Sequence, residues 1–342
     1  MDKKQIAKQA SQLKCKGDLL NVLNQIKKAE IEDLGLDSSM YHPFTEKQLN
    51  FYCNPNHTHH RYRQFKIKKK SGGFRQITAP RTQSFMMMLS AVDILLRSVY
   101  TPSEYAMGFT EGRSVVSNAT VHIGMNYIFN MDLKDFFTSV RWIQVYAVFA
   151  DLGYGKDVAG MLAHLCTLDG SLPQGAPTSP MLSNLVMKRL DKKIYAFCHS
   201  KGIAYTRYAD DLTFSSMRRF EYGQLMGYVE MVMRNEKFTI NNEKTKVFHR
   251  NQSQNVTGIV VNEYQQVGKK YRKKIRQEMY FLQRYGLTGH YPHTHYPFNE
   301  QSYLSHLLGK VNHVLHVNGD DQEMVGYRQK LREIIRLEIN HQ

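Results

Sequence analysis

The ten residues "RYADDLTFSS", numbered 207 to 216, place two aspartates side by side in a run that otherwise has the composition of a β-strand. Neighbouring side chains of a strand point to opposite faces of the sheet, and adjacent carboxylates repel each other. Asp210 and Asp211 are therefore expected at the tip of a tight hairpin or beside a cation. The position beside a cation predicts that these carboxylates hold a metal ion.

A third carboxylate follows a separate strand-like run earlier in the chain. In "YIFNMDLKDFF", residues 127–137, an apolar strand is predicted to end at Asp132. If this strand and the hairpin are neighbours in one sheet, the three carboxylates can close around one or two Mg²⁺ ions. Two such ions can activate a hydroxyl and stabilise the leaving oxygen of a phosphoryl group, which is the chemistry of nucleotide addition.

Composition predicts a folded protein with a polyanionic partner. A hydrophobic content of 42% over 342 residues is ample for a buried core, and 46 Lys and Arg against 30 Asp and Glu give a net charge of +16. Such an excess favours nucleic acid, although a merely soluble basic protein has similar charge. The four cysteines lack CxxC spacing, which argues against a disulfide framework or zinc ribbon and favours a reducing cytoplasm. The basic N-terminus lacks a signal-peptide core, and no run is long enough to span a bilayer.

Three segments have patterns that predict particular elements. Residues 1–45 alternate lysine with aliphatic residues at helical spacing and predict a small helical extension. Residues 61–80 contain two strand-like runs around Gly72 and Gly73 and predict a basic β-hairpin. An apolar face predicts a helix through Phe85, Met88, Leu89, Val92, Leu96 and Val99.

The run "KKYRKKIR", residues 269–276, concentrates positive charge on a predicted helix. Ile275, Met279 and Leu282 recur at helical spacing and predict that the opposite side is buried. The density of like charge favours contact with phosphates over an ordinary solvated face, and Tyr271 is a candidate for stacking on a base. The predicted RNA-binding residues are Lys269, Lys270, Arg272, Lys273, Lys274 and Arg276.

Six short segments give the chain a family resemblance over residues 60 to 285. It resembles the reverse transcriptases and, within them, the bacterial retron enzymes. A YADD box alone would be weak support, but six segments in the order of the family are specific. They are "NATVH" at 118–122, "MDLKDFF" at 131–137, "LPQGAPTSP" at 172–180, "YADD" at 208–211, "INNEKT" at 240–245 and "VTG" at 256–258.

The resemblance implies an α+β fold of the right-hand polymerase type, with fingers, a palm that carries a small antiparallel sheet, and a helical thumb. The expected division is a helical N-terminal extension over 1–45, the fingers and palm over 46–264, and a basic helical thumb over 265–342.

The resemblance also implies a catalytic triad. Asp132, Asp210 and Asp211 match the metal ligands of the family, with Asp132 and Asp210 bridging two Mg²⁺ ions and Asp211 contributing more to positioning. Asp135 matches no catalytic role and is expected to be a helix cap or an ion-pair partner.

Five further residues match the nucleotide site of the family. Arg75 matches a residue that grips the triphosphate, where a planar fork of donors suits the task. Phe137 matches a ring that excludes a 2′-hydroxyl, although Phe136 is an alternative and both could be core. Lys244 matches a cation near the leaving pyrophosphate, as a possible general acid or an ordinary surface lysine. Gln174 and Gly175 match a loop near the templating base pair, while Lys69 and Lys70 either assist Arg75 or are simply solvated.

The implied function is RNA-templated DNA synthesis. Retron membership implies that one structured non-coding RNA is both template and primer, that synthesis starts from a guanosine 2′-hydroxyl, and that the product is a branched RNA–DNA hybrid (msDNA), in anti-phage defence. The implied partners are this RNA and its DNA product, an effector or toxin protein, and a host ribonuclease H, with no membrane. The alternatives are a mobile-intron or diversity-generating reverse transcriptase, or a reverse-transcriptase-like RNA-binding scaffold in a toxin complex.

Histidines form two runs, "HTHH" at 57–60 and "HYPHTHY" at 290–296. No cysteine or acidic cluster in the sequence completes a zinc site beside them, so stacking on RNA or an ordinary loop is favoured. His122 is expected to be structural or to contact RNA.

Overall fold

The computed structural model describes residues 3–35, 37, 39, 41–68 and 72–340. Helices and small antiparallel sheets are mixed, which confirms the predicted α+β class. No described helix combines the length and the apolar composition needed to cross a bilayer. The helices are α1 Lys3–Ala10, α2 Lys16–Asp33, α3 Glu46–Cys53, α4 Thr58–Arg61, α5 Gln83–Val99, α6 Val115–Thr120, α7 Phe136–Ser139, α8 Trp142–Asp151, α9 Lys156–Cys166, α10 Ser179–His199, α11 Tyr222–Asn235, α12 Lys269–His290, α13 Glu300–Val317 and α14 Gln322–Asn340. The strands are β1 Tyr62–Lys68, β2 Phe74–Pro80, β3 Tyr127–Asp132, β4 Ala204–Tyr208, β5 Asp211–Ser216, β6 Lys246–His249, β7 Asn255–Val256, β8 Ile259–Val260 and β9 Gln266–Val267.

The chain forms two compact units. The first comprises Met1–Gly112, Met131–Leu212 and Glu221–Thr245. The second comprises Arg113–Asn130, Thr213–Phe220 and Lys246–Gln342. The division into an extension, a fingers and palm region and a thumb stays a prediction.

Helix α5 is central to the core of the first unit. Five of the six residues in its predicted apolar face are buried, while Val99 is half-buried, so the predicted helix is confirmed. Helices α1 and α2 both pack against α5. The buried five are Phe85, Met88, Leu89, Val92 and Leu96.

Strands β1 and β2 form the predicted basic hairpin. They pair antiparallel from Tyr62 opposite Pro80 to Lys68 opposite Phe74. Lys69 and Lys70, for which a supporting role beside Arg75 was an alternative, lie outside the described residues.

The aspartates belong to a four-stranded sheet with the strand order β4–β5–β3–β6. Strands β4 and β5 are joined by a two-residue turn, Ala209 and Asp210, which confirms the predicted hairpin. Strands β3 and β6 pair antiparallel. Because β5 lies next to β3, the aspartates of two distant segments reach the same part of the sheet.

The second unit is built on α12, α13 and α14 and on the three-stranded sheet β7–β8–β9. Ile275, Met279 and Leu282 are buried, which confirms the apolar stripe predicted for α12. They pack with side chains of α13, including Leu307 and Val311, in one hydrophobic core.

Candidate active site

Backbone hydrogen bonds hold the turn at Asp210 against the end of β3. Ala209 has a left-handed backbone with φ 57°, which an L-residue rarely adopts. The carbonyl oxygen of Asp210 accepts a hydrogen bond of 3.0 Å from the amide of Leu133. The segments "YADD" and "MDLKDFF" are therefore hydrogen-bonded to each other directly.

The segment "INNEKT" and the residue before it also contact the end of β3 and the two residues that follow it. Asn241 donates its amide to the carbonyl of Asp132 at 2.7 Å, and Lys134 donates its amide to Thr239 at 2.8 Å. Leu133 and Ile240 form an antiparallel bridge. Three motifs that are far apart in sequence thus meet around Asp132.

Lys244 forms an ion pair with Asp132. Its ammonium lies 2.9 Å from each carboxylate oxygen, and the side-chain amide of Asn241 donates to Oδ1 at 3.3 Å. Asp132 is only 6% exposed, whereas the Lys244 side chain is largely exposed. The hydrogen bond to Asp132 raises the pKa of Lys244 above its usual value. A cationic group therefore already neutralises the carboxylate that was predicted to bridge two metal ions.

The other two carboxylates have raised pKa values. Burial, with a contribution from the charge of Asp132, raises the pKa of Asp210, although the charges of Lys244 and Arg75 oppose this. Shielding from water and then the charges of Asp210 and Asp132 raise the pKa of Asp211 to about 7, even though its outer surface is exposed. Carboxylates in this situation gain from a nearby cation.

The chemistry of these donors suits magnesium. Mg²⁺ prefers oxygen ligands and leaves room for phosphate, and three adjacent carboxylates offer both the oxygens and the surplus negative charge. Over the described residues, no group of three or more His, Cys, Asp or Glu side chains is placed so that it could hold a metal ion. This agrees with the contact that Lys244 makes with Asp132. The roles of the three aspartates as metal ligands stay predictions.

Two adjacent phenylalanines after Asp135 have different surroundings. Phe136 is buried and packs near Phe238, with ring centroids 6.0 Å apart. Phe137 is half-buried, and its ring centroid lies 6.0 Å from that of Phe109. Phe137 is thus the ring with an accessible surface, as a steric gate requires, and its role stays a prediction. Asp135 is at the N-terminal cap position of α7, but its side chain makes no capping hydrogen bond.

Phe109 is a residue that sequence reasoning missed. It is 37% exposed with a left-handed φ of 60°, and it follows Gly108. A Cβ atom on Gly108 would lie 2.8 Å from the amide nitrogen of Ala209, so only glycine permits this approach to the turn. A Gly-Phe pair is common in loops, and no sequence pattern identified this one.

The loop with Gln174 and Gly175 is bonded to strand β2. The carbonyl of Gln174 accepts from the amide of Thr78 at 2.8 Å, and a Cβ on Gly175 would lie 2.8 Å from the Thr78 oxygen. The small residue therefore permits the approach of β2, the strand that carries Arg75. Contact of this loop with a templating base pair stays a prediction.

A buried ion pair supports the Asp210 turn from behind. Arg207 donates to both oxygens of Asp191 at 2.8 Å, and both side chains are completely buried. Arg207 also donates to the carbonyl of Ala209 at 3.0 Å and to the side-chain oxygen of Asn184 at 3.1 Å. Asn184 in turn donates to the carbonyl of Gly108 at 2.8 Å. No sequence pattern indicated this network, because Asp191 lies on a helix among other charged residues.

The two retron-like segments contact each other within the second unit. The side-chain amide of Asn118 donates to the hydroxyl of Thr257 at 3.3 Å, and that hydroxyl donates to the carbonyl of Val115 at 3.4 Å. His122 is fully buried and lies 2.6 Å from the hydroxyl of Ser215. Burial lowers the pKa of His122 to about 3, so the ring is neutral. Of the two expected roles, the structural one is observed.

The predicted basic residues of α12 fall into two groups, which differ in whether acidic side chains pair with them. Arg272 pairs with Asp321, and Arg276 makes a bidentate ion pair with Glu323 at 2.7 Å. The four lysines of α12 are exposed and form no ion pair with any residue that the structure describes. The lysines therefore carry the uncompensated charge. They are Lys269, Lys270, Lys273 and Lys274.

Comparison with known proteins agrees with this geometry. The family model described as reverse transcriptase (RNA-dependent DNA polymerase) matches residues 67–271. Retron Ec86 reverse transcriptase of Escherichia coli is 31% identical over 278 residues, covering 80% of this chain and 82% of that protein. Retron Mx65 reverse transcriptase of Myxococcus xanthus is 32% identical over 289 residues, covering 79% of this chain and 65% of that protein.

Solved structures show only distant similarity. Telomerase from Candida albicans, in complex with a fragment of telomeric RNA, aligns over 80% of this chain and 63% of its own at 9% identity. The TM-score of this alignment is 0.45. The family match and the retron relatives establish the right-hand polymerase fold and RNA-directed DNA polymerase activity. The chain belongs to the reverse transcriptase family and, within it, to the bacterial retron reverse transcriptases.

Proposed function

We propose that this polymerase adds deoxynucleotides with two Mg²⁺ ions held by Asp132, Asp210 and Asp211. The observation that supports this proposal is the convergence of three carboxylates around a site where the Lys244 ammonium contacts both oxygens of Asp132. When bound, Mg²⁺ lowers the pKa of an attacking hydroxyl and stabilises charge on the leaving phosphate oxygens.

The side chains around the carboxylates have complementary tasks. Asp132 and Asp210 would hold the ions through their carboxylates, and Asp211 would contribute more to positioning. Arg75, whose charge already acts on Asp210, grips the triphosphate of the incoming nucleotide. Lys244 holds a proton beside the same carboxylates and donates it to the leaving pyrophosphate. Phe137 presents a half-exposed ring that excludes a 2′-hydroxyl.

Competition for Asp132 provides a direct test of the metal site. An ammonium and a metal ion cannot both occupy the two oxygens of one carboxylate, so Lys244→Met should lower the Mg²⁺ concentration needed for half-maximal synthesis. The maximal rate should fall because the proton donor is lost. Lys246→Met, which changes an exposed lysine of β6, is the matched control. A Mg²⁺ requirement that does not change in Lys244→Met would refute competition at Asp132.

For template and primer, we propose a single structured non-coding RNA. Retron reverse transcriptases imply such an RNA and its DNA product as partners. Synthesis would begin at a guanosine 2′-hydroxyl of this RNA and give a branched RNA–DNA hybrid, and a host ribonuclease H would trim the template. The exposed lysines of α12 support RNA binding. We extend the proposal to anti-phage defence together with an effector or toxin protein.

The nucleic acid that co-purifies with the protein tests this proposal. We expect sequencing to find one abundant RNA joined to DNA, and treatment with a 2′,5′-debranching enzyme to separate the two strands. A linear product primed by a 3′-hydroxyl would instead support a mobile-intron or diversity-generating enzyme. Bound RNA without any DNA, in a protein that fails to extend annealed primers, would support the scaffold alternative.

A further inference from the structure

The outer face of α12 changes in character along its length. Lys270, Lys273, Gln277, Tyr280 and Arg284 recur at spacings of three and four, and all five are exposed. Such positions lie on one side of a helix. The first half of this side carries two lysines, and the second half carries a tyrosine and an arginine. From Lys270 to Arg284 the helix rises by about 21 Å.

A compact group of exposed side chains ends this face. The Arg284 guanidinium lies 5.8 Å from the ring centroid of Tyr280 and 5.5 Å from that of Tyr285, and it donates a hydrogen bond to the Tyr280 hydroxyl. The two rings are 51% and 54% exposed. We name Tyr280, Arg284 and Tyr285 the Tyr-Arg-Tyr patch. A single exposed tyrosine needs no explanation, but a mutually ordered pair around an arginine is a built surface.

Stacking beneath Tyr285 fixes the patch to the core of the second unit. The rings of Tyr285 and Phe281 are stacked with centroids 6.2 Å apart, and Phe281 is stacked on His290 at 5.6 Å. His290 is 8% exposed and is hydrogen-bonded to Glu278 and Tyr303. Tyr285 is therefore the exposed end of an ordered column of rings. A surface that is ordered before binding costs less entropy when a partner binds.

Base recognition requires ring faces of this kind. Unpaired RNA bases stack on tyrosine rings and on guanidinium planes, whereas the bases of a duplex already stack on each other. The neighbouring lysines add positive charge that complements phosphates. By contrast, Tyr271 is half-buried against the core and already makes a T-shaped contact with His313, with ring centroids 5.7 Å apart, so less of its ring is open for the stacking expected from the sequence.

We propose that the outer face of α12 binds an RNA hairpin in two parts: Lys270, Lys273 and Lys274 contact the phosphates of its stem, and the Tyr-Arg-Tyr patch stacks on unpaired bases of its loop. This inference rests on the proposed RNA template and names the structural feature that is recognised. The occupant is RNA rather than a protein because the same helix face continues into uncompensated lysines.

Binding of two synthetic RNAs to the full chain tests the proposal. One is a hairpin with an open purine loop that contains 2-aminopurine, and the other is a blunt duplex of the same stem sequence. Tyr280→Ala with Tyr285→Ala should weaken hairpin binding by about tenfold or more and abolish quenching of the loop fluorophore. Duplex binding should be unchanged. Tyr285→Phe, which keeps the ring, should bind like the wild type.

Two controls separate stacking from charge and from exposure alone. Tyr264→Ala removes another exposed tyrosine of the same unit and should leave hairpin binding intact. Lys273→Ala should weaken both RNAs and reduce the salt dependence of binding by about one phosphate contact, which the tyrosine variants should not do. If the variant without both rings binds the hairpin and quenches the fluorophore as the wild type does, the proposal is overturned. The patch would then be a candidate surface for a protein partner.

Extension of an annealed DNA primer distinguishes this inference from the proposed function. If the wild type extends the primer, and the tyrosine variants quench the loop fluorophore as well as the wild type does, only the stacking proposal is refuted. A wild type that makes no DNA would refute the proposed function, whatever the binding results.

Discussion

Arg207 and Asp191 form a completely buried, bidentate ion pair beside the turn of Ala209 and Asp210, with both hydrogen bonds at 2.8 Å. The same guanidinium donates to the carbonyl of Ala209, the residue with left-handed backbone that precedes Asp210. A buried charge is costly unless it is paired and fully hydrogen-bonded. The pair therefore supports the turn structurally. Its loss would disturb Ala209 and, through Ala209, the neighbouring Asp210.

Asp191→Asn should destabilise the protein strongly, because the amide cannot compensate the buried charge of Arg207. We expect a loss of about 3–5 kcal/mol in the free energy of unfolding, measured by urea denaturation. Asp151→Asn breaks the exposed pair with Arg189 and should have no measurable effect. A small effect in Asp191→Asn would mean that water or a counter-ion reaches Arg207.

Asp210→Asn should abolish DNA synthesis while the protein remains folded. The amide keeps the shape of the side chain but loses the charge proposed to hold Mg²⁺, so we expect at least about a hundredfold loss in primer extension. Burial raises the pKa of Asp210, which means that its charge costs stability without metal, so the melting temperature should not fall. RNA binding should persist, and residual synthesis close to the wild-type rate would contradict the triad.

Phe137→Ala should admit ribonucleotides. Removing the half-exposed ring opens space for a 2′-hydroxyl, and the preference for deoxynucleotides, measured as the ratio of kcat/KM values for paired substrates, should fall by about tenfold or more. Phe136→Ala is the matched control, because that ring is buried and its loss should lower stability more than selectivity. The opposite pattern would assign the gate to Phe136.

Replacing Lys270, Lys273 and Lys274 by Glu should suppress RNA-primed synthesis much more than extension of a preannealed DNA primer. These lysines are exposed and unpaired within the described part of the chain, so the change reverses charge without breaking an ion pair. Both reactions should be measured with one preparation at two salt concentrations. Lys330→Glu on α14 controls for the reversal of a single exposed charge elsewhere in the same unit. Equal losses in the two reactions would mean that the lysines hold any duplex.

His122 should make the protein sensitive to mild acid. Its pKa is lowered to about 3 in the folded protein, against about 6.5 when unfolded. Between these values the unfolded chain binds the extra proton, so stability should fall as the pH decreases below about 6.5. His122→Gln should show a smaller decrease in urea denaturation, whereas His249→Gln, at an exposed site, should behave like the wild type. Identical pH dependence in all three proteins would show that His122 is not buried in solution.

The class of fold and the family can be read from the amino-acid sequence alone. The apolar periodicity of α5 and α12 predicted their buried faces, because burial of one helix side imposes a repeat that can be read from one chain. The paired aspartates predicted a hairpin tip for the same local reason. The resemblance of six short segments identified the family that the comparisons then established.

The contacts between side chains that are far apart in the sequence emerge only in the folded protein. Asp191 supports Ala209 through Arg207, Gly108 permits the approach of the turn, and Lys244 neutralises Asp132. Each contact depends on how separate segments pack together, and local propensity carries no information about that packing. The same reason explains α12: its spacing predicted a basic face, but which cations are paired by acids of α14 and which rings are exposed depends on packing between helices.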